Sequence, residues 1–156
     1  MFVVYGFTEL MMGYRDKRSP EAVEEALRRL RAVPRCGPSV VTFTVLVEAY
    51  AMVGRMEEAW QVVERRMPAA RKLPNKHTWN ALLGGYADME DREAAKAGVT
   101  LMRERMKAAG FEPPELLYST LVAACGPDKG EVDAVLQEMR EKGLQITVWV
   151  QYARAR

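Results

Sequence analysis

Apolar residues in this chain recur three and four positions apart, and the runs are separated by Gly- and Pro-containing breaks. That is the period of helices that each bury one face. The pattern is clearest over residues 40–75. Leu46, Ala49, Tyr50 and Val53 line one face of a first helix, and Gly54 stands where a left-handed C-terminal cap belongs. Met56, Ala59, Trp60, Val63 and Met67 form the stripe of a second helix, which Leu73-Pro74-Asn75 ends. The stretch predicts an αα-hairpin of 36 residues.

The hairpin repeats. VYGFTELMMGY from Val4, VVTFTVLVEAY from Val40, KHTWNALLGGY from Lys76 and ELLYSTLVAAC from Glu115 align with one another. The fourth residue of each is aromatic (Phe7, Phe43, Trp79, Tyr118) and the seventh is Leu10, Leu46, Leu82 or Leu121. With a truncated fifth start at Val148, the starts lie 33 to 39 residues apart. The repeats run approximately over 4–39, 40–75, 76–114 and 115–147, with a partial fifth over 148–156, in a single repeat domain over 1–156.

The second helices follow the same logic. Ser19 is an N-cap candidate and Pro20 suits the first turn. Ala22, Ala26, Leu27 and Leu30 are expected to face inward in the first repeat. The same holds for Ala94, Ala95, Gly98, Leu101, Met102 and Met106 in the third, and for Val132, Val135, Leu136 and Met139 in the fourth. The third repeat's second helix is longer than its neighbours, which predicts a bulge or a projecting end. One hairpin cannot bury its own stripe, but stacked hairpins share a continuous core. The expected fold is therefore all-α, a right-handed α-solenoid of about four hairpins.

Composition narrows the chemistry. The chain has 156 residues, is 49% hydrophobic and carries a net charge of +2. It can build a core, and it is weakly charged for a protein that grips polyanions. The N-terminal stretch lacks the features of a signal or transit peptide. Cys36 and Cys125 read as two reduced thiols rather than a disulfide framework. His77 is the only histidine, no metal-ligand spacing occurs, and the Gly-rich stretches do not sit between a strand and a helix. No catalytic site, cofactor, metal or small-molecule substrate is expected. Gly84 and Gly85 are expected to permit close helix packing, and Trp60 to be core.

The signature V-V-T-F-T-x-L-x-x-x-Y…G-R-M-E-E-A…G-x-x-P resembles the pentatricopeptide repeat family over residues 4–147. The rival tetratricopeptide repeat has a 34-residue period and a different ending. The resemblance implies an organellar protein, of mitochondrion or chloroplast, that binds single-stranded RNA one base per repeat and acts in RNA processing, stability or translation. It also implies that the fifth and last residues of each repeat read the base. Those pairs are Thr8 with Ser39, Thr44 with Asn75, Asn80 with Pro114, and Ser119 with Thr147. Thr44 with Asn75 is of the kind that reads adenine, and Pro114 offers no side-chain hydrogen bond. The second residues, Tyr5, Val41, His77 and Leu116, would flank the base.

Charge argues the other way. Lys76 is the one firm cation on the four first-helix stretches, against Glu9, Glu48, Asp88 and Glu115. Arg28, Arg29, Arg31, Arg65, Arg66, Arg71, Arg103 and Arg105 lie on second helices and linkers, where they would offer a charged outer surface to partners. The alternative expectation is a helical-repeat scaffold or adaptor subunit of a large organellar assembly such as a ribosome, a respiratory complex or a photosynthetic complex. In that reading Trp149 and Tyr152 make the protein contact.

Overall fold

A computed structural model describes residues 2–146, and every regular element among them is helical. The chain divides into two compact units, residues 1–85 and 86–156. The first holds α1 (Phe2–Asp16), α2 (Pro20–Ala32), α3 (Val40–Met52), α4 (Met56–Gln61), a π-helical turn (Val62–Arg66), α5 (Met67–Ala69) and most of α6 (Lys76–Ala87). The second holds α7 (Arg92–Ala108), α8 (Glu115–Cys125) and α9 (Lys129–Glu141).

In the first unit α1 packs on α2 and on α3, and α3 packs on α2 and α4. α1 thus touches both its own partner and the next first helix, α3. This is why α3 is buried almost all round: Phe43, Val45, Leu46, Val47, Ala49, Tyr50 and Ala51 are all core. Trp60 meets Trp79 edge-on with ring centroids 6.3 Å apart, and both rings are buried. In the second unit α8 packs between α7 and α9. Tyr118 is sealed there with Leu117, Leu121, Val122, Leu136 and Met139 among the core residues.

Most of the expected inner faces are buried. The exceptions are Val53, Ala94 and Leu101, which are exposed, and Ala22 and Gly98, which are half-buried. The third-repeat stripe runs through Ala95, Met102 and Met106 as expected, and through Val99 rather than Leu101. Leu10 is exposed, because no described helix covers that side of α1. Gly85 admits close packing: a Cβ there would lie 2.5 Å from the Met56 sulfur, whereas one at Gly84 would meet nothing within 4 Å.

Of the bulge or projecting end expected in the third repeat, there is no bulge, and the extra length goes into the helix itself. α7 is a continuous helix of 17 residues, longer than the 13 of α2 and α9. The π turn is in the second repeat, where Met67 N–H donates to Val62 O. Pro68 follows it. Proline has no N–H and its ring clashes with the carbonyl four residues back, so a local widening just before it relieves both faults. The rod stops at Ala69 rather than at Leu73, with Arg71 in the left-handed conformation just beyond it.

Helix ends repeat too. Gly54 after α3 and Gly110 after α7 take the left-handed conformation, with φ of +77° and +80°. Arg18, one repeat before Gly54, does so at +54°. Arg35 and Arg71, one repeat apart, do so at +60° and +55°. Ser19 precedes α2 without a side-chain cap, and Pro20 occupies the first turn as expected.

Candidate nucleic-acid interface

The last residue of a repeat is also the N-cap of the following first helix. Ser39 Oγ accepts from Thr42 N at 3.1 Å, and Ser39 N donates back to Thr42 Oγ1 at 3.1 Å, which closes a capping box. Asn75 Oδ1 accepts from His77 N at 3.0 Å and from Thr78 N at 3.1 Å, capping α6. Pro114 holds the same place before α8 and makes no side-chain cap. Thr147 lies outside the described residues, as do Trp149 and Tyr152.

The cap divides the Asn75 side chain into two parts. Its carbonyl oxygen is held by α6, and its Nδ2 amide donates to no described protein atom. A fixed carboxamide with a free amino group is a ready hydrogen-bond donor.

The fifth residues differ in exposure. Thr8 and Thr44 are buried, and their hydroxyls donate to Val4 O at 2.8 Å and Val40 O at 2.9 Å. Asn80 is exposed, and half-buried Ser119 donates to Glu115 O at 3.2 Å. The second residues agree with one another: Tyr5, Val41 and Leu116 are 67%, 51% and 56% exposed, and His77 is exposed as well. Large apolar side chains left open at one register position are unusual on helices that otherwise bury such residues.

A link absent from the sequence reading joins the pairs. Thr44 Oγ1 lies 2.9 Å from Thr78 Oγ1, which lies 3.2 Å from Asn75 Oδ1. One repeat earlier Thr8 Oγ1 lies 3.4 Å from Thr42 Oγ1, which lies 2.9 Å from Ser39 Oγ. In each case the third residue of the next repeat bridges the fifth and last residues of its predecessor. Thr42 and Thr78 are fully buried. The signal available in sequence was a buried-type position holding threonine twice; the matching residue of the fourth repeat is Leu117.

Electrostatics also change. Arg15, in the last turn of α1, pairs with Glu48 on α3, so Glu48 is not a free carboxylate. On the second helices Arg55 pairs with Glu21, Arg66 with Glu24, Lys96 with Glu131 and Arg103 with Glu138. These pairs tie neighbouring hairpins together. The arginines expected to wait for partners are in part structural, while Arg28 and Arg29 remain exposed beside Glu25. Burial disfavours the Glu24 carboxylate, but hydrogen bonds from Arg66 and Tyr50 outweigh it and hold its pKa below the ordinary value. Burial, helped by Glu24, pushes the Tyr50 hydroxyl up to about 12. Burial raises the Cys125 thiol, which opposes thiolate reactivity. Arg35, Arg71 and Lys76 are exposed and pair with no carboxylate among the described residues. Among those residues no group of His, Cys, Asp and Glu could hold a metal, and no helix is long and apolar enough to cross a membrane.

Comparison with known proteins agrees with these repeats. The model of the PPR repeat family matches residues 38–88. A chloroplastic pentatricopeptide repeat-containing protein of Arabidopsis thaliana is 32% identical over 149 residues, which is 90% of this chain and 18% of that protein. The chloroplastic pentatricopeptide repeat-containing protein OTP51 of Oryza sativa subsp. japonica is 28% identical over 116 residues, covering 74% of this chain and 14% of that protein. The crystal structure of PPR10 from maize superposes with a TM-score of 0.80 at 18% identity, over 97% of this chain and 21% of that one. PPR10 in complex with an 18-nt psaJ RNA element superposes at 0.59 and 21% identity, over 94% and 24%. The chain thus spans about a fifth of the length of the proteins it matches. Its fold is the all-α solenoid of stacked helical hairpins. With hairpins of matching period, aromatic and leucine positions, and caps, the chain belongs to the pentatricopeptide repeat family.

Proposed function

We propose that this chain binds single-stranded RNA at the second positions of its repeats, Tyr5, Val41, His77 and Leu116, and reads bases with the paired fifth and last residues of its repeats. The observation that carries the reading is the Asn75 side chain. Its oxygen is fixed by the α6 cap and its amide is free, with Thr44 one hydroxyl away. A free N–H donor suits the unprotonated ring nitrogen of adenine, and the open side chains at the second positions offer apolar surface to the faces of bases. By sequence register, Thr8 with Ser39, Asn80 with Pro114, and Ser119 with Thr147 are the equivalent pairs. Arg71 and Lys76, on either side of Asn75 in sequence, supply charge for the RNA backbone. The site is an organelle, in keeping with the chloroplastic relatives, and the role is RNA processing, stability or translation.

With about four repeats and about 1–3 kcal/mol from each base contact, binding by this chain alone is weak. The test uses short single-stranded RNAs differing at one base, assayed at low salt. Wild type should favour adenine at one position, and Asn75→Asp should move that preference towards guanine. Equal weak binding to all of them, abolished by moderate salt, would remove base reading.

A further inference from the structure

Thr78 belongs to the third repeat and is fully buried, yet it sits between the two residues proposed to read a base for the second. We propose that Thr78 is a positioning residue that sets the hydrogen-bond polarity which Thr44 and Asn75 present to that base. The inference rests on the RNA-reading proposal above.

The argument is a count of protons. A threonine hydroxyl has one proton and two lone pairs. Thr44 donates its proton to Val40 O at 2.9 Å. Asn75 Oδ1 has two lone pairs, and two backbone N–H groups, from His77 and Thr78, already occupy them. The Thr78 proton has two places to go: that filled oxygen at 3.2 Å, or Thr44 Oγ1 at 2.9 Å. The shorter contact to the unfilled acceptor is the better bond. Asn75 N donates to Thr78 Oγ1 at 3.3 Å, so the Thr78 hydroxyl takes a proton from one side and passes its own to the other.

This order leaves Thr44 one lone pair and no free proton, so it faces a base as an acceptor. Asn75 faces it as a donor through Nδ2. Acceptor beside donor complements an exocyclic amino group beside an unprotonated ring nitrogen, which adenine and cytosine offer. Guanine and uracil present the reverse, a carbonyl beside an N–H. Without the Thr78 hydroxyl, the Val40 carbonyl alone competes with a base for the Thr44 proton, and the distinction between amino and keto bases weakens. The equivalent contact between Thr8 and Thr42 is longer, at 3.4 Å, and orders its pair less tightly.

Fluorescence anisotropy at low salt, with homo-oligomers of adenosine, cytidine and uridine, tests this without any question of register. Wild type should bind the adenosine and cytidine oligomers more tightly than the uridine one. Thr78→Val should cut that margin by about 2–10-fold, the size of one hydrogen bond, while leaving uridine binding nearly unchanged. Thr78→Ser, which keeps the hydroxyl, should retain the margin, and Thr42→Val should alter it less than Thr78→Val. Thermal melts confirm that each variant is folded, and Thr78→Ala supplies the same deletion if the valine variant does not fold. A margin unchanged in both deletion variants overturns the proposal and leaves RNA reading intact. Loss of the margin in Thr78→Ser as well assigns the effect to packing and also overturns it. A wild-type chain that binds all three oligomers alike overturns both proposals.

Discussion

The Arg66 guanidinium forks onto both carboxylate oxygens of Glu24, a residue 42 positions earlier. Tyr50 Oη donates to the same carboxylate at 2.6 Å. Three helical segments of two successive hairpins meet on one acid, and the Arg66 and Glu24 side chains are both less than a third exposed. The pair is therefore screened less than a surface ion pair.

Stability should respond to acid through this site. The folded pKa of Glu24 is lowered from an ordinary 4.5. Its contribution is then fully present above that value and is lost as pH falls through the lower folded one. Thermal melts from neutral pH down to about pH 3 should show wild type losing stability faster than Glu24→Gln. Arg66→Ala should cost about 1–3 kcal/mol at neutral pH, as for hydrogen bonds to a charged group. Parallel pH profiles for wild type and Glu24→Gln would show that the acid is not held as described.

The alkaline side has its own signature. The Tyr118 hydroxyl is pushed from 10.0 up to about 12, by burial first and then by Glu138. A raised folded pKa gives stability that is complete below the unfolded value and lost as pH rises from about 10 to about 12. Tyr118→Phe should flatten that part of the profile, and Tyr50→Phe should do the same for the first unit. Ultraviolet titration of tyrosinate absorbance reads the shift directly.

Leu46 is fully buried in α3. Leu46→Ala should cost about 2–5 kcal/mol in chemical denaturation. A loss below about half a kcal/mol would mean that the site collapses around the smaller side chain or is not core.

Two glycines should respond in opposite directions. A Cβ at Gly98 would lie 2.1 Å from the Tyr86 ring, so Gly98→Ala should destabilise by about 1–3 kcal/mol through overpacking. Exposed Gly84 lies within α6 and meets nothing within 4 Å. Gly84→Ala should stabilise by up to about 1 kcal/mol through helix propensity. Equal effects in urea melts would contradict the packing of Tyr86.

Arg35 and Arg71 hold left-handed backbone where the later repeats use glycine. That conformation costs a non-glycine residue about 1–2 kcal/mol, offset in part by the extra freedom a glycine brings to the unfolded chain. Arg35→Gly and Arg71→Gly should each raise stability by about 0.5–1 kcal/mol. Arg71→Gly should also lower the salt dependence of RNA binding, because one phosphate partner is gone.

What the linear pattern determined is the periodic part of the protein. Period-3.6 stripes, a repeating aromatic and leucine, and the glycine after α3 report burial and backbone conformation, which depend on residue type and spacing alone. Hence Leu46, Ala59, Trp60, Met67 and Met139 were legible as core, and the hairpins as hairpins. Tertiary structure decided whatever depends on a neighbour from another repeat. The inner row of α7 passes through Val99 rather than Leu101, because which row of a broad apolar face is buried depends on what packs against it. Pro68 placed the bulge in the second repeat, a local cause that the length of the third repeat concealed. Arg66 reads in sequence as a solvated cation, and only the meeting of two hairpins brings Glu24 and Tyr50 to it. Likewise Thr44 and Asn75 stand 31 positions apart, and the hydroxyl that connects them comes from the next repeat. Hydrogen bonds are short-ranged and directional, so a partner supplied by a different hairpin exists only once the hairpins have stacked.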